Sequence, residues 1–268
     1  MGGLFHKLRH PRRCYVVCAI PRSGSNLLTD GLHATRRAGR PKQFFLSKSV
    51  SDFAATHNLN LSAGFAVYVR DISAATATSN EVFGFKLMSW YLDDFLGRLR
   101  GTGAFGDSET TDLDLLRNAF PRLKFVHVFR RHKLRQALSK ARAHQTGLWK
   151  VQEGKTVQRE PQFDAELIEQ CLKESEEQEK LWGRFFQRIG IDPLRVEYEN
   201  LCEDYEANIQ RVLGFLQISL PRRIPIGSPV TVRQADEISR AWEKRFLAEH
   251  SASQSLVELS SCITKTKR

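Results

Sequence analysis

The feature that most constrains the fold is an apolar run near the N-terminus that ends in a short polar turn. Cys14 to Ile20 reads CYVVCAI, the turn reads Pro-Arg-Ser-Gly, and Ser25 to Arg37 follows with leucines recurring on one helical face. A short, unbroken apolar run rich in β-branched residues is typical of a strand buried on both faces, as in a parallel sheet. The segment therefore predicts a strand, a tight turn and a helix.

The same alternation continues along the chain. It predicts further strands at Val82–Leu87, Leu123–Phe129 and Leu194–Tyr198. Helices are expected between and after these strands, at Ser89–Arg100, Leu113–Phe120, Lys133–His144, Asp164–Ile189 and Asp204–Leu216. Strands that alternate with helices indicate an α/β protein. We expect a P-loop-like three-layer fold with a central, mainly parallel sheet of about four to five strands flanked by helices.

Composition excludes some classes of protein. The 268 residues are 41% hydrophobic, which is enough for a full core, and no apolar run approaches the roughly 18 residues of a membrane span. The five cysteines are odd in number and widely spaced, and no Cys–His cluster accompanies them. This pattern favours reduced thiols in a cytoplasmic protein and predicts no metal site. Residues 1–13 are expected to form a basic extension, 14–248 the domain and 249–268 a flexible polar tail.

The basic charge balance leaves two interpretations open. Lys and Arg number 41 against 30 Asp and Glu, for a formal net charge of +11. Either the charge forms a solvated surface, or the partner is an anion such as a nucleotide, nucleic acid or acidic membrane. Nucleic acid is not expected, because no basic stripe interleaved with aromatic residues is present.

Ligands of parallel α/β sheets bind beyond the carboxyl ends of the strands, so the loop after the first strand is a candidate site. A glycine with short hydroxyl and amide side chains before a helix is typical of a phosphate cradle. Its residues are Arg22, Ser23, Gly24, Ser25 and Asn26. A Walker A loop and a Rossmann fingerprint are both disfavoured, because the required lysine and glycines are missing. A capped turn without a ligand stays open.

The loop after the third strand offers a second set of cations. Arg130 and Arg131 stand at the strand end, and Ser139 lies about two turns into the next helix. Arginine binds phosphate through a planar fork. A basic, exposed helix start is the alternative interpretation.

Together these segments resemble the PAPS-dependent sulfotransferases of the bacterial trehalose 2-sulfotransferase-like family. The resemblance extends from about residue 14 to 248 in the family order. It is carried by Pro21–Leu28 (PRSGSNLL), Ala38–Phe45 (AGRPKQFF), Gly84–Met88 (GFKLM), Phe129–Ser139 (FRRHKLRQALS), Trp182, Val196–Leu201 (VEYENL) and Arg233–Asp236 (RQAD).

The resemblance implies a sulfuryl donor, 3′-phosphoadenosine 5′-phosphosulfate (PAPS), and no metal. It implies binding of the 5′ end by Arg22, Ser23, Gly24, Ser25, Asn26 and Leu27, and of the 3′-phosphate by Arg130 and Ser139, with Arg131 and Arg233 in support. Arg22 and Lys86, which is expected just past the second strand, would stabilise charge during transfer. The implied acceptor is a hydroxyl of a carbohydrate or glycolipid, and a homodimer is possible.

One position departs from the family. Gln43 stands where the family has a glutamate proposed as general base, and an amide can only orient the acceptor hydroxyl. Replacement bases could be His33, His57, Asp71, Asp93 or Asp94, and the sequence selects none of them. The alternatives are a weak or inactive relative that still binds the donor, or a kinase-like nucleotide enzyme.

The segment around Gln43 is also unusually basic. Arg40 and Lys42 precede it and suggest the hypothesis of an acceptor that carries negative charge. A solvated loop is the other interpretation of these two cations.

Overall fold

The structure is a computed structural model that describes residues 10–149, 160–220 and 237–249. These residues fall into two compact units. The first contains residues 10–131 and 177–220, and the second contains 132–149, 160–176 and 237–249.

The first unit is built on a four-stranded sheet in which every neighbouring pair is parallel. Its strands are β1 (Arg13–Ala19), β2 (Val82–Met88), β3 (Lys124–Phe129) and β4 (Leu194–Glu197), in the order β2-β1-β3-β4. The four strand predictions and the α/β fold class are thereby confirmed. Because all strands run the same way, their carboxyl ends lie along one edge of the sheet.

Helices join the strands of the first unit. They are α1 (Ser25–Ala34), α2 (Val50–His57), α3 (Phe65–Thr76), α4 (Leu92–Gly101), α5 (Asp112–Ala119), the second half of α7 (Ala165–Ile189), α8 (Tyr198–Glu203) and α9 (Tyr205–Leu216). Short 3₁₀ turns occupy Ser47–Ser49, Leu61–Ala63 and Ser89–Tyr91.

The pleat of the strands sends alternate side chains into two cores. On one face, Phe83 and Phe85 of β2 pack among the apolar side chains of α2, α3, α4 and α7. On the other face, Tyr15 and Val17 of β1 pack against α1, α8 and α9. Helices therefore cover both faces, which accounts for the unbroken apolar sequence of β1. Trp182 is fully buried in the first core, and its indole N–H donates to Ala19 O (2.8 Å).

The second unit is helical throughout its regular structure. It contains α6 (Lys133–Thr146), the first half of α7 and a helix over 237–249. Its core includes Ile168, Trp242 and Phe246. Among the described residues, no helix has both the length and the apolar character that crossing a membrane demands.

Two helix boundaries differ from the prediction by three residues: α4 begins at Leu92 rather than Ser89, and α1 ends at Ala34 rather than Arg37. Thr35 Oγ1 donates to Leu32 O (2.6 Å), and Arg36 then adopts a left-handed φ of 54°. A residue in this conformation cannot continue a right-handed helix. Helix α8 was not predicted, because its six residues are too few for a periodic pattern.

Candidate active site

The loop after β1 has the backbone of an anion cradle. Ser23 N donates to Ile20 O (3.3 Å) to close a turn, and Gly24 follows with a left-handed φ of 90° as the N-cap of α1. Glycine has no side chain to cap the helix, so the first backbone N–H groups of α1 lack a side-chain partner at the N-cap. These groups and the positive end of the helix dipole are suited to an anion.

Gly24 is required by a neighbouring ring as well as by its own conformation. A Cβ at position 24 would lie 2.3 Å from Cδ2 of Tyr198, the first residue of α8. Any side chain here would therefore displace the aromatic ring. The close approach brings the start of α8, at the end of β4, against the loop after β1.

The hydroxyl of Ser23 is the clearest sign that the cradle takes a ligand. Ser23 is fully buried, and its Oγ has no hydrogen-bond partner within the described part of the chain. A buried hydroxyl without a partner is costly, so its presence needs an explanation. An oxygen of a bound anion would provide the missing partner.

Arg22 and Ser25 flank this hydroxyl. Arg22 is half-buried with a left-handed φ of 62°, an uncommon conformation for a residue with a side chain. Ser25 is the first residue of α1 and is buried. Leu27 points its side chain into the core beside α9, so it can offer a ligand only its backbone N–H.

The placement of Lys86 just past the second strand was wrong. Lys86 lies inside β2, within the predicted strand Val82–Leu87, and it is 5% exposed. Its side chain leaves the sheet on the α1 side, and Nζ donates to Asn26 Oδ1 (2.6 Å). The lysine is therefore held beneath the cradle at the first turn of α1, rather than extending along the surface.

Arg130, directly after β3, is held by two groups from the end of β4. Its guanidinium lies over the ring of Tyr198, 4.6 Å from the centroid, and Nε is 3.7 Å from Glu199 Oε1. The Arg130 side chain is only 12% exposed. Cation–π stacking and the carboxylate together fix the orientation of this arginine.

Arg131 has a different environment. Its backbone N donates to Glu199 Oε2 (2.9 Å), whereas its side chain is 62% exposed and places Nη2 3.4 Å from Glu197 Oε1. The carboxylate of Glu199 therefore ties the loop after β3 to α8 through two consecutive residues.

Tyr198 joins the two predicted anion-binding loops. One ring contacts Gly24 and stacks under Arg130, so the loops after β1 and β3 lie side by side. Sequence reasoning included Tyr198 and Glu199 in the resemblance but gave them no role. Their position directly after a parallel strand was the available signal.

Ser89 is a further residue that sequence reasoning missed. It directly follows β2, and its Oγ is buried without a hydrogen-bond partner among the described residues. A hydroxyl residue at the carboxyl end of a parallel strand was again the signal that could have identified it.

Gln43 lies beside β2, next in sequence to a residue that extends the sheet edge. Lys42 forms a parallel bridge with Phe85, and its carbonyl accepts from Lys86 N (2.9 Å). Gln43 itself is half-buried. The segment that contains Gln43, where this chain departs from the resembled family, thus runs along the strand that contains Lys86.

Two predicted residues are not placed with this group. Ser139 is half-buried on α6 in the second unit, and Arg233 lies outside the described residues. Two of the candidate replacement bases have other contacts: Asp94 accepts from Ser47 Oγ (2.8 Å), and Asp93 lies 3.9 Å from Arg188. Within the described residues, no group of three or more His, Cys, Asp or Glu could hold a metal ion.

A family comparison now assigns this chain to a class of transferase. Residues 14–249 match the model of the Stf0 sulphotransferase family, so the chain belongs to that family. The protein is accordingly a sulfotransferase enzyme.

Two curated relatives are particularly informative. The chain is 29% identical over 261 residues to a trehalose 2-sulfotransferase of Mycobacterium tuberculosis (strain ATCC 35801 / TMC 107 / Erdman), covering 88% of this chain and 95% of the relative. It is 29% identical over 264 residues, with the same coverage, to the trehalose 2-sulfotransferase of Mycolicibacterium smegmatis (strain ATCC 700084 / mc(2)155).

Solved structures give more distant matches. A sulfotransferase from Alicyclobacillus acidocaldarius is 14% identical with a TM-score of 0.47, and the match covers 90% of this chain and 92% of that one. A sulfotransferase from Mycobacterium avium is 12% identical with a TM-score of 0.43, and the match covers 90% and 69%.

Proposed function

We propose that this sulfotransferase moves the sulfuryl group of PAPS to a hydroxyl of a carbohydrate or glycolipid. The names of the two curated relatives support a sugar acceptor. The observation that carries the proposal is the contact of Tyr198 with both Gly24 and Arg130. One adenine nucleotide with phosphates at its 5′ and 3′ positions needs two anion sites close together, and this contact supports such a pair.

The cradle fits the 5′ end of the donor. A phosphosulfate would use two features of the cradle. These are the Oγ of Ser23, which has no hydrogen-bond partner among the described residues, and the backbone N–H groups at the start of α1, which no side chain caps. Arg22 and the buried Lys86 add the positive charge. Ser25, Asn26 and the backbone of Leu27 complete the proposed set.

Arg130 is proposed to bind the 3′-phosphate. Its low exposure and its fixed orientation over Tyr198 make it better suited to this role than the exposed Arg131, which we propose as a support. Ser139 and Arg233 stay in the proposal as predictions from the sequence.

When bound, PAPS supplies an activated sulfuryl group for in-line attack by the acceptor hydroxyl. Lys86 Nζ and the N–H groups at the start of α1 stabilise the negative charge that develops on the leaving phosphate. Asn26 Oδ1 holds Lys86 Nζ in place for this task. The chain contributes mainly position and charge, as phosphoryl-transfer enzymes do.

Gln43 is proposed to orient the acceptor hydroxyl by hydrogen bonding. Its amide cannot accept the proton that the hydroxyl loses, so the rate gain of a positioned base, typically about 10²–10⁴-fold, is not available from this residue. The cytoplasmic location and the homodimer are further predictions from the sequence.

Calorimetry with adenosine 3′,5′-bisphosphate against ATP tests the proposed donor. We expect the bisphosphate to bind tightly, ATP weakly, and both Arg22→Ala and Arg130→Ala to reduce bisphosphate affinity by about tenfold or more. Arg122→Ala is the matched control, because Arg122 is an exposed arginine before β3, at the opposite edge of the sheet. Equal or tighter binding of ATP would refute the assignment of the donor.

A further inference from the structure

An open cleft with a volume of about 530 Å³ lies outside the donor site, beside the edge strand β2. One wall comes from the end of α1 and the chain that follows it, and the other from residues 75–78 at the end of α3. Its lining residues are His33, Arg36, Arg40, Ala75, Thr76, Ala77 and Thr78. The volume is in the range of small-molecule sites.

The charged side chains of the cleft are all basic. Arg36 and Arg40 are exposed, and within the described residues neither forms an ion pair with a carboxylate. Among the residues that the structure describes, no Asp or Glu lines the cleft. Two guanidinium groups in one concavity, with no counter-ion from that part of the chain, suit a phosphate, sulfate or carboxylate group.

The histidine orients one of these arginines. Arg40 Nε donates to His33 Nε2 (3.4 Å), so the imidazole accepts as the neutral form. Burial lowers the pKa of His33, and the charges of Arg40 and Lys42 lower it further. The lowered pKa is consistent with an excess of positive charge at this wall.

The threonine wall does not provide donors for an anion. Thr76 Oγ1 donates to Ile72 O (2.7 Å), and Thr78 Oγ1 donates to Arg37 O (3.2 Å). Because both hydroxyl protons are engaged, these oxygens can only accept. Recognition of an anion in the cleft therefore depends on the two guanidinium groups.

The cleft is connected to the proposed acceptor position by a short stretch of extended chain. Arg40 precedes Gln43 by three residues, which span at most about 11 Å, and Lys42 between them pairs with the edge of β2. An acceptor whose reacting hydroxyl lies at Gln43 can thus place a second group near Arg40.

We infer that this cleft binds an anionic substituent of the acceptor through Arg36 and Arg40, so that the preferred acceptor is an acidic carbohydrate. The inference rests on the proposed function, because it takes Gln43 as the place of the acceptor hydroxyl. It gives the positive charges of this cleft one role: selecting a phosphorylated, sulfated or carboxylated sugar over the neutral sugar.

The test compares binding of trehalose and trehalose 6-phosphate at constant ionic strength, in the presence of adenosine 3′,5′-bisphosphate. We expect the wild-type protein to bind the phosphorylated sugar at least tenfold more tightly. The variant Arg36→Gly with Arg40→Gln should lose most of this preference. Glycine suits position 36, because the left-handed φ of 54° there carries strain for a residue with a side chain.

The matched control is Arg122→Gly, which also removes an exposed arginine at a left-handed φ, 52°, from a residue that does not line the cleft. It should leave the preference unchanged. No preference in the wild-type protein, or an equal loss in Arg122→Gly, would overturn the inference. The inference would also be overturned if inorganic phosphate bound in the cleft without weakening the binding of trehalose 6-phosphate.

Binding of adenosine 3′,5′-bisphosphate alone separates this inference from the proposed function. If the bisphosphate binds and the sugars show no charge preference, only the acidic acceptor is wrong. If the bisphosphate fails to bind, the proposed donor is wrong.

Discussion

Lys86 Nζ lies 2.6 Å from Asn26 Oδ1, so a buried cation in β2 is hydrogen-bonded to the first turn of α1. The contact joins residues 60 positions apart in the sequence. It holds an ammonium group at the cradle, where negative charge would develop during the proposed sulfuryl transfer. Burial strengthens such an interaction, because little water screens it.

Replacing Lys86 should therefore reduce turnover more than binding. Lys86→Met keeps the aliphatic length and removes the charge, and we expect kcat to fall by about 10²–10³-fold, the usual loss for one preorganised donor. Steady-state kinetics with PAPS as the proposed donor and trehalose or trehalose 6-phosphate as the trial acceptor measures this. Lys48→Met, at an exposed lysine before α2, is the control. An unchanged kcat in Lys86→Met would exclude the lysine from the chemistry.

Gly24→Ala tests the contact with Tyr198. An alanine at φ 90° is strained by about 1–3 kcal/mol, and its Cβ would overlap Tyr198, which adds about 1–3 kcal/mol of overpacking. Gly147→Ala is matched to it, because Gly147, which follows α6, has φ 70° and ψ −1°, close to the φ 90° and ψ 7° of Gly24, and no described atom lies within 4 Å of the added Cβ. Urea unfolding should show a larger loss of stability for Gly24→Ala. Equal losses would mean that the Tyr198 ring moves aside with no cost in the free energy of unfolding.

Arg130→Ala tests the assignment of the 3′-phosphate. We expect the affinity for adenosine 3′,5′-bisphosphate to fall by about 10–100-fold, the value of one charge-assisted hydrogen bond or pair of bonds. The affinity for adenosine 5′-monophosphate, which lacks the 3′-phosphate, should change little. Arg131→Ala, at the exposed neighbour, should cause a smaller loss. If Arg130→Ala weakens the binding of both nucleotides equally, Arg130 does not bind the 3′-phosphate.

Gln43→Glu should restore a general base. We expect kcat to rise by about 10²-fold, and activity to increase with pH through the carboxyl pKa, because only the ionised carboxylate accepts the proton. Gln43→Ala removes the hydrogen-bonding amide without adding a base, so it should lower kcat. Comparing it with Gln43→Glu separates general-base catalysis from simple orientation of the acceptor hydroxyl. A pH–rate profile of the three proteins is the measurement. If Gln43→Glu is no faster than the wild type, the hydroxyl loses its proton by another route.

The titration of His33 predicts how stability changes with pH. Its pKa is lowered in the folded protein, first by burial and then by Arg40 and Lys42. The unfolded chain therefore binds more protons below about pH 6.5, and this part of the stability is lost as the pH falls through the folded pKa. His33→Gln should flatten the acid side of the curve of unfolding free energy against pH. An identical slope in both proteins would show that His33 does not contribute.

Strands and the long helix were predictable because their signals are local. Strand β1 is buried on both faces, which gives an unbroken apolar run. Helix α7 is buried on one face, which gives apolar residues at three- and four-residue spacing. The phosphate loop was also visible, because Arg22 to Asn26 are consecutive. The six-residue α8 was not, since one short turn of helix has no periodicity of its own.

The sequence by itself determined the order of the strands and helices, the family, and which side chains follow each strand. Only the tertiary structure decided that Lys86 is buried inside β2, that Tyr198 lies between Gly24 and Arg130, and that Arg36 and Arg40 share a cleft. The physical reason is the separation in sequence of the residues that make each contact. Strand and helix patterns depend on residues a few positions apart, whereas these contacts join residues that the parallel sheet brings together from distant parts of the chain.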